Sequence, residues 1–315
     1  MLELPPCRSV AIDALALVRA VQPETPLEAS KLRQPGQEIL LKREDQGPNG
    51  AFKWRGALCA CAAFIRSGAG GVVTSSTGNH GAATAWAGRR LGLATHIVVP
   101  VGAARSKLRL IQQHGAVLHE LGADLDAAAH HAQSLARELG YPLLVDGGCE
   151  AQLLGTETIG AELRGVRAET VVVPLACGAL AGGLGRGLAA AEPRPRVIGV
   201  QSTMFGRLGA LIRGERDPLI PTGHSFADGL ADNRIVEPAF STCRSFLDDA
   251  VAVDDDALRD AMRELWASCG IVVEGAAAAP LAALRQHPDR ILGRRVVLIV
   301  SGRNIDEELR DQILG

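Results

Sequence analysis

The sequence predicts an α/β fold built on parallel sheets, and three observations lead there. Short apolar runs rich in Val, Ile and Leu alternate with longer Ala/Leu/Arg segments, the rhythm of strands buried on both faces and joined by helices. At 315 residues the chain is too long for one small core and suits two α/β lobes, or one large one. Its composition, 47% hydrophobic and mostly Ala, Leu and Val, with 22% charged residues, is that of a compact soluble protein.

Taken in order, Pro48-Asn49-Gly50 makes a turn, after which Lys53 begins a helix running through Leu58. Gly71-Val72-Val73-Thr74 reads as a strand, followed by a helix from Gly81 to Leu91. The pattern recurs at His96-Ile97-Val98-Val99 with a helix to about His114, and at Ala116-Val117-Leu118-His119 with a helix to about Gly140. Tyr141-Pro142 and Asp146-Gly147-Gly148 mark a loop that crosses between lobes. Thr170-Val171-Val172-Val173 precedes a Gly-rich helix, and Arg196–Val200 and Arg295–Val300 are further strands. A small domain is therefore expected at 72–147 and a large one in the flanking pieces, 1–71 and 148–315, with sites at the carboxyl ends of strands.

Lys plus Arg number 33 against 35 Asp plus Glu, a net charge of -2, so neither nucleic acid nor an anionic membrane is an expected partner. No apolar run reaches the roughly 18 residues of a membrane span, and no leader pattern opens the chain, so a cytoplasmic location is expected. Seven cysteines are scattered. The tight pair, Cys59 and Cys61, has neither His nor a second pair at zinc spacing, which points to buried small hydrophobes in a reducing compartment.

Four strand-end segments carry residues with chemistry. In Gly50-Ala51-Phe52-Lys53-Trp54-Arg55-Gly56-Ala57, Lys53 stands behind a glycine turn among apolar neighbours. A nucleophilic lysine must be partly desolvated or covalently tied to a carbonyl, although the local pattern also fits an ordinary helix lysine. Ser75-Ser76-Thr77-Gly78-Asn79-His80 lies between a strand and a helix, where successive N–H groups bind anions such as a carboxylate, or where the polar residues simply cap the helix. Ala176-Cys177-Gly178-Ala179-Leu180 is a stretch of small residues suited to cradling a phosphate. The nearby Gly183-Leu184-Gly185-Arg186-Gly187 lacks the G-x-G-x-x-G spacing and falls after the helix start, which argues against a dinucleotide. Ser301-Gly302-Arg303-Asn304 follows the last strand and alone is a turn.

Together and in this order, the four segments resemble the fold-type II pyridoxal phosphate enzymes, the tryptophan synthase β-like superfamily, and within it the serine/threonine dehydratase and serine racemase branch. The resemblance runs from Thr25-Pro26-Leu27 to Asn304 and includes Leu41-Lys42-Arg43-Glu44-Asp45, Ala227-Asp228-Gly229-Leu230-Ala231 and Val273-Glu274-Gly275-Ala276-Ala277. It implies two lobes with pyridoxal 5'-phosphate in the cleft between them, a homodimer and an amino acid substrate. It implies that Lys53, next to Phe52, carries the cofactor, that Asn79 meets the ring oxygen, and that Ala176, Cys177, Gly178, Ala179 and Leu180 hold the phosphate. Ser301 would face the pyridine nitrogen and Glu274 would belong to the cofactor site. Ser76, Thr77, Gly78, Asn79 and His80 would grip the substrate carboxylate, with Lys53 and Thr77 as the catalytic groups.

The chain departs from the family's pattern in four places. Ala51 stands where Ser or Thr is usual, and Cys177 interrupts a normally all-glycine phosphate loop, though backbone donors survive both changes. Thr77 replaces a serine that in serine racemase can protonate the far face of the substrate carbanion, so racemisation is less expected. Gln201 stands where metal-dependent relatives have Glu, and no tightly bound metal is expected. Cys177 is either an acidic, oxidisable thiol beside a helix start or a small residue that fits. His80, His224 and Arg207 either shape side-chain recognition or serve as caps and solvent contacts.

The implied activity is loss of water from a 3-hydroxy amino acid of the serine, threonine, 3-hydroxyaspartate or phenylserine type, giving a 2-oxo acid and ammonia. Lys53, released by the substrate amine, removes the α-proton, and the leaving hydroxide needs a proton for which the cofactor phosphate and Lys53 are nearest. A β-replacement synthase of the cysteine or threonine synthase kind, an amino acid racemase and a noncatalytic pyridoxal-binding protein are the alternatives. The Ala227-Asp228-Gly229 and Val273-Glu274-Gly275 matches favour the dehydratase over the synthase. With the sequence ending at Gly315, no regulatory module is expected behind the last motif.

Overall fold

Two hydrogen-bonded ladders organise the chain in a computed structural model that describes residues 11–103, 105–216, 218 and 223–315. In chain order the first elements are α1 (Ala14–Arg19), β1 (Leu27–Ala29), β2 (Glu38–Arg43), α2 (Lys53–Arg66), β3 (Gly71–Ser75), α3 (Asn79–Leu91) and β4 (Ala94–Val99). They continue with α4 (Arg105–Gln112), β5 (Val117–Glu120), α5 (Leu125–Leu139), α6 (Glu150–Leu163), β6 (Thr170–Pro174), α7 (Ala179–Leu188) and β7 (Arg196–Ser202). The last are α8 (Arg207–Ile212), α9 (Ala239–Phe246), β8 (Asp249–Val253), α10 (Asp255–Cys269), α11 (Gly275–Gln286), β9 (Arg295–Val300) and α12 (Glu307–Leu314). One sheet has six strands in the order β1-β2-β9-β6-β7-β8 and the other three, β3-β4-β5. All pairs are parallel except β1 with β2, as crossover helices between strands require.

The chain divides into two compact units, one made of residues up to Pro23 with Lys53–Gly155, the other of Glu24–Phe52 and Thr156–Gly315. The first holds the three-stranded sheet, and it takes in more than the 72–147 expected from the sequence. Packing explains the difference. Trp54, Leu58 and Cys59 of α2 bury against Val18 of α1, while Ala57, Ala60 and Phe64 bury against Val72, Ala83 and Ala87. The start of α6 joins this unit because Gly155 lets it lie on the backbone of α2, where a Cβ would run into the carbonyl of Arg55. On the other face of the sheet, Val73 and Val98 meet Ala128, Ala132 and Ala136 of α5. The β5 strand, expected to be buried on both faces, is an edge strand with Val117 and Glu120 exposed.

In the second unit the strand residues alternate between two cores, as a pleated strand dictates. Val172, Val200 and Leu298 face Leu258, Ala278 and Leu281 of α10 and α11, whereas Val171, Val173, Val297 and Ile299 face Ile159, Leu180 and Leu184 of α6 and α7. The sequence reading lacks β1, β2 and β8. β8 is short and Ala-rich, and β2 carries Lys42, whose charge disguises a strand that is buried from Ile39 to Lys42. The Lys42 ammonium contacts the Glu162 carboxylate and donates to Thr25 O at 2.7 Å, and Thr25 Oγ1 donates to Glu44 Oε1 at 2.5 Å.

The six described cysteines are free, and burial pushes the Cys59 and Cys61 thiols up to about 12; Cys7 lies outside the described residues. No helix among the described residues is long and apolar enough to cross a membrane. The Lys42 contact yields a stability prediction. Lys42→Met takes the ammonium away from a buried carboxylate and should lower unfolding free energy by about 3–5 kcal/mol in urea titrations, with much of it recovered in Lys42→Met/Glu162→Leu.

Candidate active site

Parallel strands release their loops at one edge of the sheet, so the order of strands decides which loops meet. In the second unit β9 lies between β2 and β6, and the segments after Arg43, Val300 and Pro174 therefore leave the sheet side by side. Ser301, buried directly after β9, accepts from Phe52 N at 2.9 Å, and Ala51 bridges to Gly302. Glu274, the N-cap of α11, donates its N–H to Gly302 O at 3.2 Å, and its carboxylate lies so close to Gly302 that no Cβ would fit there. Ala227 and Phe226 pack on Gly275, so the two secondary motifs of the sequence are neighbours in space.

Beside them β6 leads through Leu175–Gly178 into α7. The N-cap, Gly178, has φ 95 and ψ -9, and no side chain caps the helix. The first N–H groups of α7, which have no partner within a helix, are thereby turned towards any anion at this position. The loop's carbonyls are engaged from behind: Thr156 Oγ1 donates to Ala179 O at 2.8 Å and Cys243 Sγ to Gly178 O at 3.2 Å. Cys177, Gly178, Ala179 and Leu180 are buried and Ala176 is half-buried. Burial raises the Cys243 thiol well above its ordinary range. Cys177 is 4 % exposed, a small residue enclosed by its loop.

In the first unit β3 ends at Ser75, and Ser76, Thr77 and Gly78 turn into α3. Gly78 is the N-cap without a side-chain cap, although its N–H reaches Ser76 Oγ at 3.2 Å. Asn79 and His80 belong to the first turn of the helix, two residues earlier than the sequence suggests. The Ser75 hydroxyl is buried without a hydrogen-bond partner among the described residues, an acceptor and donor left over at the base of this loop. The His80 ring is turned inward. Thr74 Oγ1 donates to Leu144 O at 2.7 Å, so His80 Nε2 is the donor in its 3.0 Å contact with Thr74 Oγ1. Any grip by His80 on a carboxylate thus falls to its backbone.

Lys53 opens α2, and its ammonium contacts Asp146 Oδ2. This carboxylate, on the residue read from sequence as part of a crossing loop, is the functional candidate that the pattern missed. The chain before it runs beside β3: Val73 N donates to Pro142 O at 3.0 Å, Leu144 N to Val73 O at 2.8 Å, and Leu143 bridges Val73 in parallel. Asp146 therefore leaves at the same edge as Ser75. The apolar run Leu143-Leu144-Val145 was the available signal. Gln152 was missed as well; its Nε2 donates to Asp146 Oδ1 at 3.1 Å and its Oε1 accepts from Gly147 N at 2.8 Å.

Gln201 spends both ends of its amide on backbone, accepting from Gly209 N and donating to Phe205 O. Among the described residues no group of three or more His, Cys, Asp or Glu side chains could hold a metal ion. Arg207 and His224 are exposed. One variant tests the α7 cradle: Gly178→Ala forces a positive φ and sets a Cβ 2.8 Å from Cys243 Sγ. Equilibrium unfolding should show a loss of at least about 1–2 kcal/mol, and inorganic phosphate should stabilise the parent protein and stabilise the variant less.

A family model described as pyridoxal-phosphate dependent enzyme matches residues 18–302. The biosynthetic L-threonine dehydratase of Salmonella typhimurium is 32% identical over 273 residues, which cover 85% of this chain and 53% of that protein. The chain thus spans about half the length of that relative and of the Escherichia coli one, which also has 53% covered. Maize serine racemase superposes with a TM-score of 0.86 at 27% identity, covering 96% of each chain. A threonine deaminase from T.th. gives 0.84 at 29% identity, covering 94% of this chain and 99% of that one. A family match across nearly the whole chain, with the motifs at the strand ends where that chemistry is built, makes this chain a member of the pyridoxal-phosphate dependent enzymes.

Proposed function

We propose that the chain is an ammonia-lyase that removes water from a 3-hydroxy amino acid, threonine or serine first, to give a 2-oxo acid and ammonia. The observation that carries this reading is Lys53 at the head of α2, its Nζ against a carboxylate that can take or return a proton, in a chain similar over most of its length to a threonine dehydratase. The residues present fit pyridoxal phosphate. The uncapped start of α7 suits the phosphate, and the unpartnered Ser75 hydroxyl and the uncapped start of α3 suit a bound polar ligand. When bound, the cofactor supplies an electron sink that makes the substrate's α-hydrogen acidic.

Within that reading each residue has a task. Lys53 holds the cofactor, then takes the α-proton on Nζ. The N–H groups of Ser76 to Asn79 bind the substrate carboxylate, which fixes the α-hydrogen relative to Nζ. Loop 176–180 would hold the phosphate, Asn79 the ring oxygen, and Ser301, with Phe52 and Glu274 around it, the ring nitrogen. A neutral serine there, unlike a carboxylate, would not hold a proton on the ring nitrogen. Lys53 is also a proton source for that hydroxyl. Racemisation is the second reading, supported by the Thr77 hydroxyl beside the carboxylate loop and by the likeness to maize serine racemase. We further infer a homodimer in a reducing cytoplasm, a state that sedimentation of the purified protein would read.

The purified protein with pyridoxal phosphate should release 2-oxo acid from one member of a stereochemically complete panel of serine, threonine, 3-hydroxyaspartate and 3-phenylserine. Lys53→Ala should abolish it. Chiral analysis of unreacted substrate in the same vials reads racemisation, and silence in both assays would turn the proposal towards a synthase lacking its second substrate.

A further inference from the structure

The contact between Lys53 and Asp146 has a consequence for how the lysine reaches its working state. Their side chains are 15 % and 19 % exposed, so water screens the pair only weakly. Asp146 is held by Gln152 and has His80 as a neighbour. Gln152 Nε2 fixes Oδ1 at 3.1 Å, and His80 Nδ1 lies 3.7 Å from the same oxygen. Because His80 Nε2 carries the hydrogen donated to Thr74, Nδ1 is the accepting ring nitrogen, and Gln152 Nε2 lies 3.5 Å from it. On α2 itself, Arg55 packs over the Trp54 ring and Arg66 reaches Ala11 O. On α3, Arg89 donates to Gln113 O and Arg90 lies over Trp86. Asp13 caps α1. Asp146 is the carboxylate in contact with the ammonium, and His80 lies behind it.

We propose that Asp146, oriented by Gln152, is a positioning residue that holds Lys53 as an ammonium until the lysine is captured by the cofactor. An adjacent carboxylate favours the charged amine, and a charged amine has no lone pair to offer. Lys53 must first give up one proton to solvent, against the hold of the carboxylate. Its lone pair then bonds to the aldehyde carbon of pyridoxal phosphate, and the carbonyl oxygen leaves as water. The inference rests on the cofactor reading above. It adds that the rate of capture is set by this ion pair.

Cofactor-stripped protein provides the test in two arms. In one, pyridoxal phosphate is mixed in by stopped flow across about pH 6 to 10, and borohydride trapping with peptide mapping identifies Lys53. In the other, trinitrobenzenesulfonate arylates Lys53 with no cofactor present. Asp146→Asn should move the pH midpoint of Lys53 reactivity down by about one unit in both arms, so that capture at neutral pH is about tenfold faster. Asp146→Glu should keep the parent midpoint. An unchanged midpoint in Asp146→Asn overturns the proposal. So does an arylation midpoint in the parent protein well below that of an ordinary lysine, a measurement that requires no variant. If cofactor is never trapped on Lys53, the cofactor reading fails, while the arylation midpoint still decides the role of Asp146.

Discussion

Burial of parallel strands on both faces is the constraint on which the rest of this molecule depends. In the six-stranded sheet, β6, β7 and β9 alternate their side chains between two apolar cores, each roofed by helices. Such strands have no wet face, so polar chemistry can gather only where they end. Ser301, the 175–178 loop and the 44–52 segment collect at one edge for this reason, because β2, β9 and β6 run parallel as neighbours. The same rule acts in the three-stranded sheet, where Ser75 and Asp146 emerge together.

Helix starts are a second feature that each unit has. α3 and α7 each begin at a glycine and neither has a side-chain cap, which leaves backbone donors turned outward with the positive end of the helix behind them. The surrounding side chains are small or engaged elsewhere. Thr156 and Cys243 hold the carbonyls of the α7 loop, and Thr74 and Gln152 hold the inner polar groups near α3. Fixed donors of this kind bind an anion without reorganising, whichever side chains happen to line the loop. Hence Cys177 leaves the backbone donors of its loop in place.

Two lysines, each paired with a carboxylate, differ in how far they are buried. Lys42 is enclosed with Glu162 and serves packing, since both partners are nearly inaccessible. Lys53 is paired at the edge of a sheet, partly accessible, with a histidine behind its carboxylate. An ion pair sealed in the core is fixed, whereas one at a strand end can exchange its proton with a ligand. The distinction rests on position in the fold, because the two lysines sit only eleven residues apart in a sequence that marks neither as buried.

Much of this was legible in the residues alone. The βα rhythm predicted the parallel sheets, and Lys53, Ser76–His80, Ala176–Leu180 and Ser301 were identifiable because glycine turns and small residues at strand ends are local features. Other parts were not. β2 was hidden by Lys42, whose partner Glu162 is distant in sequence, and the membership of α2 in the first unit depended on Val18, Val72 and Ala83 converging on it. Asp146 looked like a loop residue until pairing of the 142–144 segment with β3 carried it to Lys53. The sequence by itself determined the periodicity, the turns and the motif order that singles out Lys53 as the candidate, since these follow from neighbouring residues. Only the tertiary structure decided which carboxylate faces that lysine and which helix belongs to which core, because both depend on contacts between segments far apart in the chain.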